Sequence, residues 1–223
     1  MKLYYSSTGE LVEPDCFDYY LNRVQPIRRD KVNKCKNGAD KRRSLVAGIL
    51  LRHALLQEKI SYDHAVFSVC ERGKPRMEGG RLFFSISHAN ELAVCVISDR
   101  DIGVDIEDME RFQKMEVSRM ERIASRSFSQ REQMELKKME WNPKIFAGIW
   151  TRKESYTKYI GKGLGMELSL IDTYKENYIT IELNETYVCS LCRDSFGGED
   201  SIEPCYVKLM SGEERDSLEV TYV

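Results

Sequence analysis

Two acidic residues stand one position apart in the run DIGVDIEDME: Asp105 and Glu107. Alternate side chains of a strand share a face, so Val104 and Ile106 would turn one way and both carboxylates the other. Like charges held that close are costly unless something neutralises them, and a hard divalent cation bound through oxygen does so well. A solvated polar face is the ordinary alternative. A second group lies in FAGIWTRKESYTKYIGKGL, where Glu154 and Lys158 are four residues apart and share a helix face, one turn beyond Trp150. Ile149, Tyr156 and Ile160 are placed to pack inward. Alone, a Glu-x-x-x-Lys pair is a common surface feature of small energetic weight.

The run FFSISHAN supplies Ser85, Ser87 and His88, a hydroxyl and imidazole set suited to phosphate oxygens. A serine hydrolase is disfavoured because neighbours on a strand point to opposite faces and no G-x-S-x-G elbow is present. Between Arg28 and Arg43 lie Arg28, Arg29, Lys31, Lys34, Lys36, Lys41, Arg42 and Arg43, opposed only by Asp30 and Asp40. If a helix starts near Asp40, Lys41 to Arg43 occupy its first turn and oppose the macrodipole, a penalty that a bound phosphate would reverse. The alternatives are a solvated basic face or a nucleic-acid patch.

The elements that must position these groups read as helix then sheet, twice over, which makes the fold class α+β. A long helix is expected from an Asp40 N-cap through KRRSLVAGILLRHALLQEK, with Leu45, Ile49 and Leu56 on its buried side. A strand near Ala65 to Val69 precedes a turn at Gly73-Lys74-Pro75. Leu82 to Ile86 and Leu92 to Ile97 form a hairpin, and Ile102 to Ile106 a third strand. Helices follow over Val117 to Ser125, Gln130 to Met139 and Pro143 to Ile160, the second opened by Ser129-x-x-Glu132 and the last closed by Gly161-Lys162-Gly163. YITIEL, TYVCSL, CYVKLM and LEVTYV read as antiparallel strands.

Composition narrows the class. The 223 residues are 42% apolar, enough for a packed core, and carry a formal charge of −2, which gives no global field for nucleic acid. No run is long and apolar enough for a membrane helix, and the start lacks a secretion-signal layout, so a cytoplasmic protein is expected. Seven scattered cysteines read as reduced, buried thiols. Cys189 and Cys192 form a CxxC pair, but only His53, His64 and His88 could join it, which makes zinc a poor reading.

In order, Arg43-Ser44, Gly73-Lys74-Pro75, FSISH, GVDIE and WTRKESYTK resemble the Sfp-type 4′-phosphopantetheinyl transferase superfamily, over roughly residues 25 to 170. The resemblance implies a pseudo-dimer of two similar α+β halves, residues 1–102 and 103–223, with coenzyme A in the cleft between them. It implies that Arg43, Ser87 and His88 hold the 3′-phosphate of coenzyme A and that Gly73, Lys74 and Pro75 lie beside the adenine. Arg28 and Lys31 match basic positions at the coenzyme phosphates. Asp105, Glu107 and Glu154 match magnesium ligands, Lys158 matches the lysine at the pyrophosphate, and Glu132 a glutamate of secondary weight near the site.

The activity so implied is transfer of phosphopantetheine from coenzyme A to a serine of an apo acyl or peptidyl carrier protein, releasing 3′,5′-ADP, with Glu154 or a metal-bound water as base. The chain is expected to be monomeric and to engage neither nucleic acid nor membrane. Phe112, Met115 and Met120 are candidates for an exposed carrier dock, with a helix core as the alternative. The rival function is a coenzyme A or nucleotide-binding regulator that has kept the fold without catalysis.

Overall fold

The computed structural model describes residues 1–70, 73–80, 82–161, 166–197, 202–210 and 219–222. The chain divides into two compact units: Met1–Ser68 with Met77–Asp99 and Ser201–Val223, and Val69–Arg76 with Arg100–Asp200. Each is α+β.

The first unit is built on a five-stranded sheet. Its strands are β1 (Lys2–Ser7), β4 (Phe83–Ala89), β5 (Leu92–Ser98), β9 (Pro204–Lys208) and β10 (Glu219–Tyr222), in the order β10-β9-β1-β5-β4. β4 and β5 form the expected hairpin, with Ala89 opposite Leu92. The turn between them puts Asn90 at φ +45°, a left-handed conformation that asparagine tolerates. Among the described residues three α-helices accompany the sheet: α1 (Pro14–Leu21), α2 (Pro26–Asn33) and α3 (Gly38–Gln57). α3 packs on β5, β4 and β1. Leu45, Leu50 and Leu55 are fully buried in the core with Tyr4, Phe84 and Val207, each contributing about 1.5–3 kcal/mol.

Three local expectations change here. The α3 N-cap is Asn37, whose side-chain oxygen accepts from Asp40 N–H at 2.8 Å, so the helix begins earlier than Asp40. Lys41 to Arg43 therefore lie beyond the first turn, which holds the favourable acid Asp40, and the dipole argument for an anion weakens. Leu56 is 45% exposed, and Leu55 faces the core instead.

CYVKLM is a strand, but it runs parallel to β1 with Tyr4 opposite Cys205, not as part of an antiparallel set with YITIEL and TYVCSL. Glu10 fastens this return: it accepts from Tyr206 Oη at 2.5 Å and from Leu209 N–H. β9 and β10 thus belong with the N-terminal sheet, whereas a single cut after residue 102 assigns them to the other half.

β2 (Phe67–Val69) and β3 (Pro75–Met77) form a two-stranded ribbon, and its turn segment, Val69–Arg76, belongs to the second unit. That unit contains a three-stranded antiparallel sheet in the order β6 (Gly103–Asp108), β8 (Tyr187–Cys192), β7 (Tyr178–Leu183). Among the described residues four α-helices and a 3-10 turn at Leu168–Leu170 lie between β6 and β7: α4 (Met109–Gln113), α5 (Val117–Ser127), α6 (Gln130–Lys138) and α7 (Pro143–Ile160). The Ser129/Glu132 capping box at α6 is complete in both directions. α7 starts where Asn142 Oδ1 accepts from Lys144 and Ile145 N–H with Pro143 in the first turn, and stops at Gly161, φ +70°. Lys162 and Gly163 of the expected turn lie outside the described residues.

Candidate active site

In the second unit α7 lies directly on one face of β6 and β8. The approach is set by Gly103: a Cβ there would stand 1.9 Å from the Ser155 carbonyl oxygen and 2.4 Å from the Tyr159 nitrogen. Gly103, Asp105 and Glu107 alternate onto that same face, so the closest contact of strand and helix is followed by two carboxylates. The helix meets them in reverse order. Lys158 Nζ donates to Asp105 Oδ1 at 2.8 Å, and Trp150 Nε1 donates to Glu107 Oε1 at 3.1 Å. Arg111 Nη1 reaches both Glu107 oxygens at 2.9 Å.

Glu154 stands between these two rungs. Its carboxyl pKa is raised, first by burial and then by the charges of Asp105 and Glu107, with Lys158 opposing. Glu107 is raised by burial and by Asp105, against Arg111 and Trp150. Three acidic groups therefore feel one another, as expected of a site that holds a cation. Among the described residues no three His, Cys, Asp or Glu side chains are drawn together as a ready ligand set. Lys158 and Arg111 carry the compensating charge. In donor chemistry and charge Asp105, Glu107 and Glu154 fit a hard divalent ion.

Behind the carboxylates runs a buried hydroxyl row. Ser190, opposite Asp105 on β8, meets Thr151 Oγ1 at 2.7 Å and Thr180 Oγ1 at 3.1 Å. A groove of about 280 Å³ lined by Lys144, Ile145, Arg152, Tyr174 and Thr180 lies along the N-terminal half of α7, and none of the three carboxylates lines it.

Two residues of the chemistry-bearing motifs have structural duties that the sequence did not reveal. Lys153 and Glu132 form an ion pair at 2.7 Å with both side chains 0% exposed. Lys153 also donates to the Leu168 and Ile171 carbonyls, while Glu132 accepts from Ser129 and Thr173 N–H. Every strong donor and acceptor of the pair is used, as burial demands. Glu132 is thus a scaffold residue. The one advance signal was the capping box, which accounts for a single one of its bonds.

Lys74 is equally committed. Its ammonium pairs with Asp101 and donates to the Ile102 carbonyl at 3.2 Å and the Tyr159 carbonyl at 3.0 Å. Gly73, at φ +94°, makes the turn, and Pro75 opens β3.

In the first unit, Arg43 pairs with Asp40 and donates to the Asn90 carbonyl at 3.1 Å, which ties α3 to the β4–β5 turn. The Asp40 carboxyl is held below its usual range, foremost by the Arg43 hydrogen bond, with Asn37 and then His88 adding to the effect. Arg43 and His88 therefore share one neighbourhood. Ser87 is buried and His88 exposed, and as strand neighbours their side chains leave β4 on opposite faces. Arg28 lies along α3 where Gly48 has no side chain: a Cβ there would come within 2.7 Å of Arg28 Cγ. Burial lowers the pKa of Arg28, and burial followed by the Arg28 charge lowers that of Lys31.

Other expectations fall away. Phe112 and Met120 are each 1% exposed in the core beside Phe146, and Met115 packs against the same cluster, so they form no exposed dock. Cys189 and Cys192 are free and buried, and an odd separation along β8 sends them to opposite faces, which rules out joint chelation.

Comparison with known proteins agrees with this geometry. Residues 101–204 match the profile of the 4′-phosphopantetheinyl transferase superfamily. The 4′-phosphopantetheinyl transferase gsp of Aneurinibacillus migulanus is 32% identical over 199 residues, covering 81% of each chain. The 4′-phosphopantetheinyl transferase Sfp of Bacillus subtilis (strain 168) is 27% identical over 214 residues, 93% of this chain and 86% of its own. The L-aminoadipate-semialdehyde dehydrogenase-phosphopantetheinyl transferase of Xenopus laevis is 26% identical over 175 residues, 74% of this chain and 58% of its own. With a helix seated on a glycine of β6 and the acidic residues of GVDIE and WTRKESYTK facing one another, the chain belongs to the 4′-phosphopantetheinyl transferase superfamily.

Proposed function

We infer that this enzyme transfers the 4′-phosphopantetheine of coenzyme A to a serine of an apo carrier protein and releases 3′,5′-ADP. Family membership supports the transfer itself. The observation that carries the residue assignment is geometric: α7 sits on β6 with Lys158 on Asp105 and Trp150 on Glu107, and Glu154 lies about one helical turn from each. In this proposal the three carboxylates hold magnesium, which when bound would neutralise charge on the pyrophosphate.

Lys158, 31% exposed and already held toward Asp105, adds a second positive charge for the same phosphates. Glu154 takes the proton from the carrier serine: it stands on α7 between the Lys158–Asp105 and Trp150–Glu107 contacts, and among the described residues no side chain donates a hydrogen bond to it. The serine oxygen forms its bond to the pantetheine-side phosphorus as the bond to the bridging oxygen breaks. The electron pair of that bond leaves with 3′,5′-ADP.

For the coenzyme, Arg43 and His88 would bind the 3′-phosphate, while the Ser87 side chain, buried on the other face of β4, would help hold the strand that presents His88. Arg28 and Lys31 would meet the remaining phosphates, supported by the lowered pKa of each cation. Gly73, Lys74 and Pro75 would offer adenine the surface of their turn, since the Lys74 ammonium is engaged elsewhere. The proposal takes the fold as a pseudo-dimer and requires residues of both units to serve one coenzyme A. It further takes the chain as monomeric and cytoplasmic, acting on carrier proteins rather than nucleic acid or membrane; the seven free cysteines support a reducing compartment. No helix of the described residues is long and apolar enough to cross a membrane.

The test offers apo acyl, polyketide and peptidyl carriers with coenzyme A and magnesium, and follows carrier mass and 3′,5′-ADP. Wild type should add one phosphopantetheine, while Asp105→Ala and Glu154→Ala should lose transfer by about 10²–10³-fold and stay folded. Arg43→Ala and His88→Ala should raise KM for coenzyme A but not for dephospho-coenzyme A. Normal turnover by the carboxylate variants would refute the site.

A further inference from the structure

Lys74 stands in a Gly-Lys-Pro turn, yet its side chain runs away from the turn's surface into the second unit. Its stem packs beside Gly161, the left-handed glycine that ends α7, where a Cβ would stand in ordinary contact at 3.4 Å from Lys74 Cδ. The ammonium then meets three oxygens: the Asp101 carboxylate, the Ile102 carbonyl and the Tyr159 carbonyl. Asp101 and Ile102 immediately precede β6, and Tyr159 lies in the last turn of α7, where carbonyls lack helical partners. Asp101 is itself fixed, accepting from Ile102 N–H at 3.0 Å and pairing with Arg76 at 3.1 Å. Cys70 Sγ, from the same segment, donates to the Gly161 carbonyl at 3.9 Å.

The two anchoring points are the lead-in to the strand that carries Asp105 and Glu107 and the end of the helix that carries Glu154 and Lys158. Tyr159 adjoins Lys158, and Ile102 lies three residues before Asp105. A cation bridging them fixes how far α7 can slide along β6, hence the spacing of Lys158 and Glu154 from Asp105.

We propose that Lys74, through Asp101 and the Tyr159 carbonyl, is a positioning residue that sets the register of α7 on β6 and so holds the catalytic carboxylates and Lys158 in reacting geometry. This rests on the transferase reading above and adds to it a rate-determining role for a residue otherwise expected only beside adenine.

The experiment compares wild type, Lys74→Met, Lys74→Arg, Asp101→Asn, the Lys74→Met/Asp101→Asn double variant and Arg76→Ala. Each is measured for kcat and KM for coenzyme A with an apo carrier, for coenzyme A affinity by calorimetry, and for thermal melting. Misplacement of reacting groups by about 1 Å can cost about 10²-fold in rate. Lys74→Met and Asp101→Asn should each lower kcat by about 10–100-fold with KM and coenzyme A affinity within about threefold of wild type. The double variant should be no worse than the worse single one, because both remove the same bridge. Lys74→Arg should recover part of kcat, and Arg76→Ala, which removes an exposed partner of Asp101 but leaves the Lys74 bridge in place, should lower kcat by less than Asp101→Asn does.

A raised KM with unchanged kcat in Lys74→Met, together with a silent Asp101→Asn, would make Lys74 an adenine contact only and overturn the proposal. Additive losses in the double variant would overturn it as well. Should Lys74→Met fail to fold, Asp101→Asn and Lys74→Arg decide the matter on the same readouts. A wild-type chain that transfers nothing would instead overturn the function itself.

Discussion

The α-carbon of Gly103 lies against the hydrogen-bonded turn of α7 formed by Ser155 and Tyr159, so that a single added carbon would fall 1.9 Å from the Ser155 oxygen. Backbone atoms of a packed helix cannot yield as a flexible side chain can. Gly103→Ala should therefore push α7 off β6 and cost about 1–3 kcal/mol or more, the scale of core overpacking. Transfer should fall together with stability, because the displaced helix carries Glu154 and Lys158. Gly148, on the same helix, has open space around its missing Cβ. Gly148→Ala should gain up to about 1 kcal/mol of helix propensity and keep its activity. Urea unfolding and initial rates on the two variants check both halves; equal effects would deny the close contact.

Trp150 does more than fill space. Its indole N–H donates to Glu107, while its ring lies 6.5 Å from that of Phe128. Trp150→Phe keeps most of the packing and removes the donor. If Glu107 is a magnesium ligand, losing this support should raise the magnesium concentration needed for half-maximal rate by about 10–100-fold. A magnesium titration of the rate measures it, and an unshifted curve would reduce the indole to packing.

The buried pair of Lys153 and Glu132 ties α7 to α6 and to the segment of Leu168 to Thr173. Lys153→Met leaves an unpaired buried carboxylate and should cost about 3–5 kcal/mol. Adding Glu132→Gln should return part of that loss, since the amide no longer carries charge. Chemical denaturation of both single variants and the double gives the coupling. A loss of less than about 1 kcal/mol for Lys153→Met would show that the pair is not a buried ion pair in solution.

His53 is 4% exposed inside the first unit, edge-on to Tyr4, and burial lowers its pKa below the ordinary value. The folded state therefore binds its proton less readily than the unfolded chain does. Stability from this residue is fully present above the unfolded pKa of about 6.5 and is lost as pH falls through the folded value. Unfolding midpoints recorded downward from pH 8 should drop below about pH 6.5 in wild type and drop less in His53→Leu. Parallel curves would remove His53 as the cause.

Much of this molecule is written locally. Asn142, Pro143 and Gly161 bound α7, Ser129 and Glu132 start α6, and alternation in GVDIE puts Asp105 and Glu107 on one face, because caps, turns and pleat act within a few residues. The short elements α1, α2, α4 and β1 carry too few periods to declare themselves. The five motifs, read together, also identified the family.

What neighbours what was decided elsewhere. Lys153 and Lys158 lie in one helix and one motif, but about 140° apart around its axis, so one enters the core to meet Glu132 and the other faces Asp105. Lys74 reads as a loop lysine and becomes a clamp only because Tyr159 and Asp101 fold onto it. CYVKLM announces a strand, yet its parallel pairing with β1 joins residues some two hundred positions apart, a choice made by burial and by the grip of Glu10. Sequence fixes which side chains share a face; only the packed chain fixes what that face meets.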